Sequence, residues 1–211
     1  MYYRFRYLCG SGLIRYIAST NETKIYNEGP DYLISNSIRC LYEDRSGVLW
    51  VGTNKGVSIF NKNTKEIISY PYEEITPNLF FNEGLKILND DKYVWIASEQ
   101  GFYRYSRENH VIVNYRENFI EKGITNYKVF DIFQDESDEN ILWLAGGKEG
   151  GLIKFHKTEG VIKNYLSTSE ENSLSYDSIN CIQGDEKGNL WIGTEVGLNK
   201  FNIEKETFTL K

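Results

Sequence analysis

The segment Gly188–Asn202 has the sequence GNLWIGTEVGLNKFN and recurs along the chain. Related segments are VLWVGTNKGVSIFN at Val48–Asn61, YVWIASEQGFYRYS at Tyr93–Ser106 and ILWLAGGKEGGLIKFH at Ile141–His156. A repeat with a period in the mid-forties is typical of a chain built from stacked or radially arranged units. The tryptophans of the four segments are 45, 48 and 48 residues apart, and they are Trp50, Trp95, Trp143 and Trp191.

A second spacing supports the same repeat. In each unit a glycine is followed four residues later by an aromatic residue, and in the first three units a tyrosine follows fourteen residues after the glycine. The N-terminus keeps this spacing without a tryptophan, since Tyr16 and Tyr26 follow Gly12, and Lys211 takes the place of the tyrosine in the last unit. The residues concerned are Gly56 with Phe60 and Tyr70, Gly101 with Tyr105 and Tyr115, Gly151 with Phe155 and Tyr165, and Gly197 with Phe201.

Each unit contains four short segments of strand character separated by polar turns, and no stretch of helical length shows a 3.6-residue period. Four strands in about 45 residues are typical of a β-propeller blade. We therefore predict an all-β fold, a β-propeller segment with four complete four-stranded blades and one incomplete N-terminal blade. Because no strand is left over to complete the first blade, we expect an open arc and a fragment of a longer propeller. The predicted blades of this single segment, 1–211, span approximately residues 1–28, 35–73, 80–117, 124–166 and 174–211.

The repeated residues are interpreted as scaffold. Blades pack face to face, and one bulky ring per blade fills the space between radiating sheets, so the four tryptophans are predicted to be buried. An aspartate at the start of a turn is predicted to accept hydrogen bonds from the backbone. Cys40 and Cys181 share one register and, like Cys9, are predicted to be small buried residues. The repeated aspartates are Asp44, Asp90, Asp135 and Asp185.

Composition excludes several classes of function. The chain has 24 basic and 30 acidic residues, and the acidic residues are dispersed along the sequence. We therefore expect no basic patch of the kind that binds nucleic acid or an anionic membrane. No apolar run approaches the roughly 20 residues that span a bilayer, so no membrane segment is predicted, and the N-terminus lacks the pattern of a signal peptide. His110 and His156 are predicted to lie in turns, and we expect no metal site, no cofactor and no catalytic residue.

The pattern I-x-x-(I/L)-x-x-D-x-x-G-x-L-W-(I/V)-G-T-x-x-G-(L/V)-x-x-F resembles the two-component regulator propeller repeat. Ile38–Phe60 and Ile179–Phe201 match it closely, and the linker at Asn172–Ile179 is also similar to that of the family. The resemblance implies a periplasmic sensor region of a hybrid two-component histidine kinase, with seven-bladed propellers. In gut Bacteroidetes such sensors detect glycan fragments, which makes an oligosaccharide the expected ligand.

Positions that differ between repeats are the better candidates for ligand binding. One polar residue near the start of the innermost strand of each full unit is assigned to a single register, and these residues are expected to point toward the central opening, although simple solvation of a wet channel would explain them too. The predicted site residues are Arg39, Lys86, Asp131 and Asn180, and a second candidate surface consists of loops that include Tyr72, Phe80, Phe81 and Tyr127.

We therefore expect a non-catalytic, ligand-sensing propeller module whose partners are the remaining blades of a parent sensor or a second copy of the chain. Two alternatives stay open. One is a propeller scaffold that binds protein partners on its rim and would expose an apolar patch on one face. The other is a propeller lyase or glycosidase, for which Asp131 with a glutamate from a loop is the place to look.

Overall fold

The computed structural model describes residues 3–7, 12–29, 32–43, 47–53, 55–62, 64–71, 86–99 and 101–211, and it describes no side chains for 3–7, 39, 40, 70 and 71. The chain divides into two compact units, Met1–Gly84 and Leu85–Lys211. Antiparallel meanders form both units, because short apolar segments alternate with turns at which glycine and aspartate recur.

The first unit contains a three-stranded sheet followed by a four-stranded sheet. Their strands are β1 (Tyr3–Tyr7), β2 (Leu13–Ile17), β3 (Glu22–Tyr26), β4 (Ile38–Glu43), β5 (Val48–Thr53), β6 (Gly56–Asn61) and β7 (Ile67–Pro71). The two sheets share a core in which Leu13 and Tyr26 of the first sheet pack with Leu49, Val51 and Phe60 of the second.

The second unit contains three four-stranded sheets. Their strands are β8 (Lys86–Asn89), β9 (Tyr93–Ser98), β10 (Gly101–Ser106), β11 (Ile112–Asn114), β12 (Val129–Gln134), β13 (Ile141–Gly146), β14 (Leu152–His156), β15 (Gly160–Tyr165), β16 (Ile179–Gly184), β17 (Asn189–Thr194), β18 (Leu198–Asn202) and β19 (Thr207–Leu210). Strand β12 lies against both β8 and β16, so the first strands of the three sheets are neighbours within this unit.

The predicted fold class is confirmed. The described residues form an all-β architecture of four four-stranded antiparallel sheets preceded by one three-stranded sheet, as expected for propeller blades. The extent of a single propeller segment over residues 1–211, with its blade boundaries, stays a prediction.

One helix, α1 (Arg116–Glu121), lies in the connection between β11 and β12, where only a polar loop was expected. Phe119 on this helix and Ile124 after it are each 1% exposed, and the Phe119 ring stacks on Phe102 at a centroid distance of 6.4 Å. Six residues are too few to show a helical period, and a helix this short depends on tertiary packing for its stability.

Three of the four tryptophans are buried, as the repeat predicted, and the fourth is not. Trp50, Trp95 and Trp143 are at most 1% exposed, whereas Trp191 is half-buried. Two of the buried indoles contact a phenylalanine of the following sheet, since Trp95 lies 5.8 Å from Phe155 and Trp143 lies 5.3 Å from Phe201 between ring centroids. In the part of the chain that the structure describes, no sheet follows the one that carries Trp191, which explains its larger exposure.

The glycine-based spacing has a direct structural meaning. The tyrosine fourteen residues after the repeat glycine of one sheet contacts the aromatic residue four residues after the repeat glycine of the next sheet. The ring centroids are 4.9 Å apart for Tyr26 and Phe60, 4.9 Å for Tyr115 and Phe155, and 5.1 Å for Tyr165 and Phe201. Edge-on and tilted pairs at these distances stabilise a core beyond their buried area. The second spacing therefore records the contact between neighbouring blades.

A cation packs over each tryptophan of the second unit, which the sequence analysis did not predict. The residue three positions after the repeat glycine pairs across the strands with the tryptophan. Its charged group lies over the indole at 5.9 Å for Arg104 on Trp95, 5.4 Å for Lys154 on Trp143 and 5.6 Å for Lys200 on Trp191. In each of these cation–π contacts the charged group lies over the indole ring.

Candidate functional site

The inner strands β4, β12 and β16 each contain a bulge near their start. The pairing shifts between Ile38 and Cys40, between Val129 and Asp131, and between Ile179 and Cys181. The residue inside each bulge has no partner on the neighbouring strand, and it is Arg39, Phe130 or Asn180 in turn.

The bulges correct one part of the site prediction. The four predicted residues were assigned to one register, but Lys86 pairs with Ala97 and Asp131 pairs with Ala145, both two residues after a tryptophan. Arg39 and Asn180 are instead the unpaired residues of bulges. The prediction of a shared register is wrong because Asp131 stands two residues after Val129, in the position of Cys181, and Phe130 is the residue of β12 that is equivalent to Asn180.

Asp131 connects the inner strands of the second unit. It is 6% exposed, and its Oδ2 accepts a hydrogen bond of 3.0 Å from the amide of Ile182 on β16. Its Oδ1 accepts a bond of 3.0 Å from the amide of Ile132 and lies 3.6 Å from Nζ of Lys86 on β8. The carboxylate therefore satisfies groups on three neighbouring strands, and a buried carboxylate needs such partners.

Asp131→Ala is expected to lower the free energy of unfolding by about 1–3 kcal/mol, because the buried amide of Ile182 loses its acceptor. Lys86→Ala is the matched control. The Lys86 side chain is 59% exposed, so its removal is expected to cost less than about 1 kcal/mol. Denaturant titrations monitored by circular dichroism would measure both changes, and equal losses for the two variants would contradict this role of Asp131.

The structure brings only part of the predicted site together. Lys86 and Asp131 contact each other, and Asn180 is exposed on the neighbouring strand β16. The side chain of Arg39 lies outside the described residues. Cys181, predicted to be buried, is exposed. The side chain of Cys40, and Cys9 altogether, also lie outside the described part of the chain.

The second candidate surface is represented by one loop. Tyr127 is half-buried in the connection that leads into β12, and the guanidinium of Arg116 lies 4.4 Å from its ring centroid. The backbone of this connection is fixed by the amide of Gly147, which donates to the carbonyl of Lys128 at 2.9 Å. Tyr72, Phe80 and Phe81 lie outside the described residues.

The aspartates that open the turns have the predicted structural role, and they have a partner that was not foreseen. Each of the three described ones accepts a hydrogen bond from the indole of its own tryptophan. The distances are 3.2 Å from Trp95 to Asp90, 2.8 Å from Trp143 to Asp135 and 3.0 Å from Trp191 to Asp185. A buried indole N–H needs an acceptor, so the repeat preserves aspartate and tryptophan together. Asp44 lies outside the described residues.

These bonds lower the pKa of the aspartates. Burial alone would raise the pKa of Asp185, but the Asn189 side chain and amide, the Trp191 indole and the Lys187 amide hold it at about 2. In Asp135 and Asp90 the same competition between burial and hydrogen bonds leaves the pKa below its ordinary value. The carboxylates therefore act as fixed anionic acceptors and do not have the raised pKa of a general acid.

Stability is expected to fall in acid through these groups. The pKa of Asp185 is lower in the folded chain than its ordinary value of 3.8, so its contribution is complete above that value and is lost as the pH falls toward about 2. Asp185→Asn is expected to flatten the dependence of unfolding free energy on pH between about 4 and 2. Trp191→Phe, which removes one donor, should flatten it in part. An unchanged slope in both variants would contradict the proposed bonds.

The histidines take part in local turn structure. Nδ1 of His110 lies 2.6 Å from the hydroxyl of Tyr105, and Nδ1 of His156 lies 3.0 Å from the hydroxyl of Thr158. His110 lies in a turn as predicted, whereas His156 is the last residue of β14. Within the described ranges, no group of three or more histidine, cysteine, aspartate or glutamate side chains could hold a metal ion.

A cavity of about 530 Å³ opens between the sheets β12–β15 and β16–β19. We call it the carboxylate cavity because four acidic residues and one lysine contribute to its wall. Apolar residues form the rest of the wall together with glycines and asparagines. Its lining consists of Phe133, Asp135, Glu136, Ser137, Gly184, Asp185, Lys187, Gly188, Asn189, Asn202, Ile203 and Glu204.

The four-stranded antiparallel sheets with aromatic rings packed between them are those of β-propeller blades. The sequence model named "Two component regulator propeller" matches residues 32–55 and 173–196, so the predicted resemblance is confirmed, and the chain contains repeats of this type. The histidine kinase P4 of Formosa agariphila is 27% identical over 92% of this chain. The chain spans only 15% of the length of that kinase.

Solved structures show the same fold. The extracellular domain of the hybrid two component system BT3049 from B. thetaiotaomicron has a TM-score of 0.67 and 18% identity, and it matches 99% of this chain and 26% of its own. The extracellular domain of BT4673 from the same organism has a TM-score of 0.66 and 22% identity, with 99% and 29% coverage. Among the described residues, no helix has the length and apolar character that crossing a membrane requires.

Proposed function

We propose that the chain is a non-catalytic, ligand-sensing propeller module from the periplasmic region of a hybrid two-component sensor. The observation that carries this proposal is the joint match of repeat and fold. The two-component regulator propeller repeat occurs at residues 32–55 and 173–196, and almost the whole chain superimposes on extracellular domains of such systems. The fold alone would not specify a function, whereas the repeat narrows the class.

The proposed ligand is an oligosaccharide. Lys86 and Asn180 are exposed polar residues on the strands β8 and β16 of the second unit. They offer a charged donor and an amide that can donate and accept, which suits the hydroxyl groups of a sugar. Asp131 supports this surface by holding Lys86, and its carboxylate is largely occupied by Ile182 and Ile132.

The proposed partners are the remaining blades of a parent sensor or a second copy of the chain. Leu198 is 42% exposed, although the residues at its repeat position in the other sheets are at most 2% exposed. Val196 and Leu210 beside it are 65% and 63% exposed. A further blade on this face would bury these side chains as the following sheet buries Leu152. The buried equivalents are Leu13, Val57, Phe102 and Leu152.

A catalytic role has less support. The repeated carboxylates Asp90, Asp135 and Asp185 each accept the indole N–H of a tryptophan, and their pKa values are lowered. A general acid needs a raised pKa and a free proton to donate. These groups therefore suit a scaffold and leave sugar recognition to residues that differ between blades.

Calorimetric titration of the purified chain with a panel of oligosaccharides tests the proposal. We expect at least one sugar to bind, and we expect Asn180→Ala and Lys86→Ala to weaken that binding about tenfold through lost hydrogen bonds. Lys122→Ala, which changes an exposed residue after helix α1, is the matched control and should bind normally. Absence of binding across the panel would contradict glycan sensing, and cleaved sugar after incubation would favour the enzyme.

A further inference from the structure

The interface between the sheets β8–β11 and β12–β15 contains an ion pair that has no counterpart at the carboxylate cavity. Nζ of Lys157 donates to Oδ2 of Asp90 at 2.9 Å, and the lysine side chain is only 12% exposed. The same oxygen of Asp90 accepts the indole N–H of Trp95. At this interface the turn aspartate of one blade thus accepts one hydrogen bond from the indole of its own blade and one from an ammonium group of the next blade.

The next interface has isoleucine at the position of this lysine. Lys157 lies six residues after Gly151, and Ile203 lies six residues after Gly197. Their amides make equivalent bonds to the residue that precedes the tryptophan strand, from Lys157 to the carbonyl of Asn140 at 2.9 Å and from Ile203 to the carbonyl of Gly188 at 3.2 Å. The equivalence therefore holds in the backbone as well as in the sequence.

Among the described residues, Asp135 consequently has no counter-ion. It is 4% exposed, and its Oδ1 accepts hydrogen bonds from the amide and hydroxyl of Ser137 at 2.9 and 2.7 Å and from the amide of Asp138 at 3.3 Å. Its Oδ2 accepts the indole of Trp143 at 2.8 Å, which leaves one acceptor direction of a carboxylate oxygen available. In the part of the chain that the structure describes, no lysine or arginine forms an ion pair with Asp135.

The carboxylate cavity lies beside this buried anion and is suited to a chain that ends in a cation. Phe133 and Ile203 form apolar wall, and both pack against the buried core of the neighbouring sheets. Asp185 and Glu204 add negative charge at the wall. A volume of about 530 Å³ lies within the range of small-molecule sites and exceeds that of one lysine side chain.

We infer that the carboxylate cavity binds a primary ammonium group carried on a short apolar chain, as in a lysine side chain. The ammonium group donates to Asp135 as Lys157 donates to Asp90, and the apolar chain packs on Phe133 and Ile203. The site is separate from the polar residues Lys86 and Asn180, so it does not depend on the proposed sugar site.

Titration with two probes tests this site and distinguishes its natural sources. The probes are Nα-acetyl-lysine amide, which represents a peptide, and n-pentylamine, which represents a free amine, and n-pentanol is the uncharged control. With the indole nitrogens labelled by ¹⁵N, we expect an amine to shift the Trp143 indole resonance and to leave the Trp50 resonance unchanged, with no shift from n-pentanol. A response to one amine alone identifies the source.

Substitutions at position 203 provide the second measurement. Ile203→Lys places into the cavity the ammonium group that the neighbouring interface already has, so amine binding is expected to weaken by about tenfold or more. Ile203→Leu conserves volume and charge and should bind as the unchanged protein does. Failure of both amines to shift Trp143, or a shift that n-pentanol reproduces, would overturn the inference. So would unaltered amine binding in a folded Ile203→Lys variant.

Discussion

Replacing Trp143 by alanine is expected to lower the free energy of unfolding by about 3–5 kcal/mol. Its indole is fully buried, contacts Phe201 of the following sheet and donates to Asp135 at 2.8 Å. The substitution therefore removes a large apolar ring from a packed interface and leaves a buried carboxylate with one donor fewer. Denaturant titration monitored by circular dichroism would measure the loss.

Trp191→Ala is the matched control for this prediction. Trp191 makes the equivalent bond to Asp185 at 3.0 Å and lies under Lys200, but its ring is half-buried. We expect roughly half the loss found for Trp143, since the transfer and cavity contributions both scale with buried surface. Equal losses would mean that packing against the next sheet is not what makes the tryptophans important.

Phe155→Ala is expected to be similarly costly, at about 3–5 kcal/mol. Phe155 is fully buried, and its ring lies 5.0 Å from Phe102, 4.9 Å from Tyr115 and 5.8 Å from Trp95. Three rings of the preceding sheet thus pack around one ring of the following sheet. Removing it would open a cavity that rigid aromatic neighbours cannot easily fill.

Tyr16→Ala is the control for Phe155, because Tyr16 has the same position relative to its glycine. Its side chain is 37% exposed, and its hydroxyl donates to Asn21 at 2.9 Å on the surface. We expect a loss of about 1 kcal/mol or less, as is usual for exposed positions. A loss comparable to that of Phe155 would show that the repeat position, and not the burial, determines the effect.

The sequence was sufficient to predict the blades because their stabilising contacts repeat. Tyr115 and Phe155 stand at distances from a glycine that recur along the chain, and each tryptophan follows a turn aspartate by five to eight residues. A contact that is made once per blade produces a residue spacing that recurs in the sequence. The bond between Trp143 and Asp135 was nevertheless not predicted, because both residues had a sufficient separate explanation as core and turn.

Features that occur once, or that change register, were predicted less well. The register of the site was predicted wrongly because Asp131 stands two residues after Val129, whereas Asn180 stands one residue after Ile179 and lies inside a bulge. Cys181 is exposed, although it was predicted to be buried. Helix α1 depends on the burial of Phe119 and Ile124. A six-residue segment is too short for its sequence pattern to predict this burial. The replacement of a lysine by Ile203 is apparent only from the comparison of two inter-sheet interfaces in the structure.

The division between repeated and varied residues also fits the proposed function. Asp135 and Asp185 are committed to tryptophan indoles, whereas Lys86 and Asn180 are exposed and differ between blades. A scaffold of constant inter-blade contacts allows the inner strands to vary without loss of the fold. A ligand sensor needs this separation, because its recognition residues must change while the blades remain in place.

We expect the repeated rings to stabilise the protein by packing between neighbouring blades, and a double-mutant cycle on Trp143 and Phe201 tests this claim most directly. These residues lie on different sheets with centroids 5.3 Å apart in an edge-on arrangement. From the unfolding free energies of Trp143→Ala, Phe201→Ala and the double variant, we predict a coupling of about 0.5–1.5 kcal/mol or more. Additive losses with no coupling would contradict the claim.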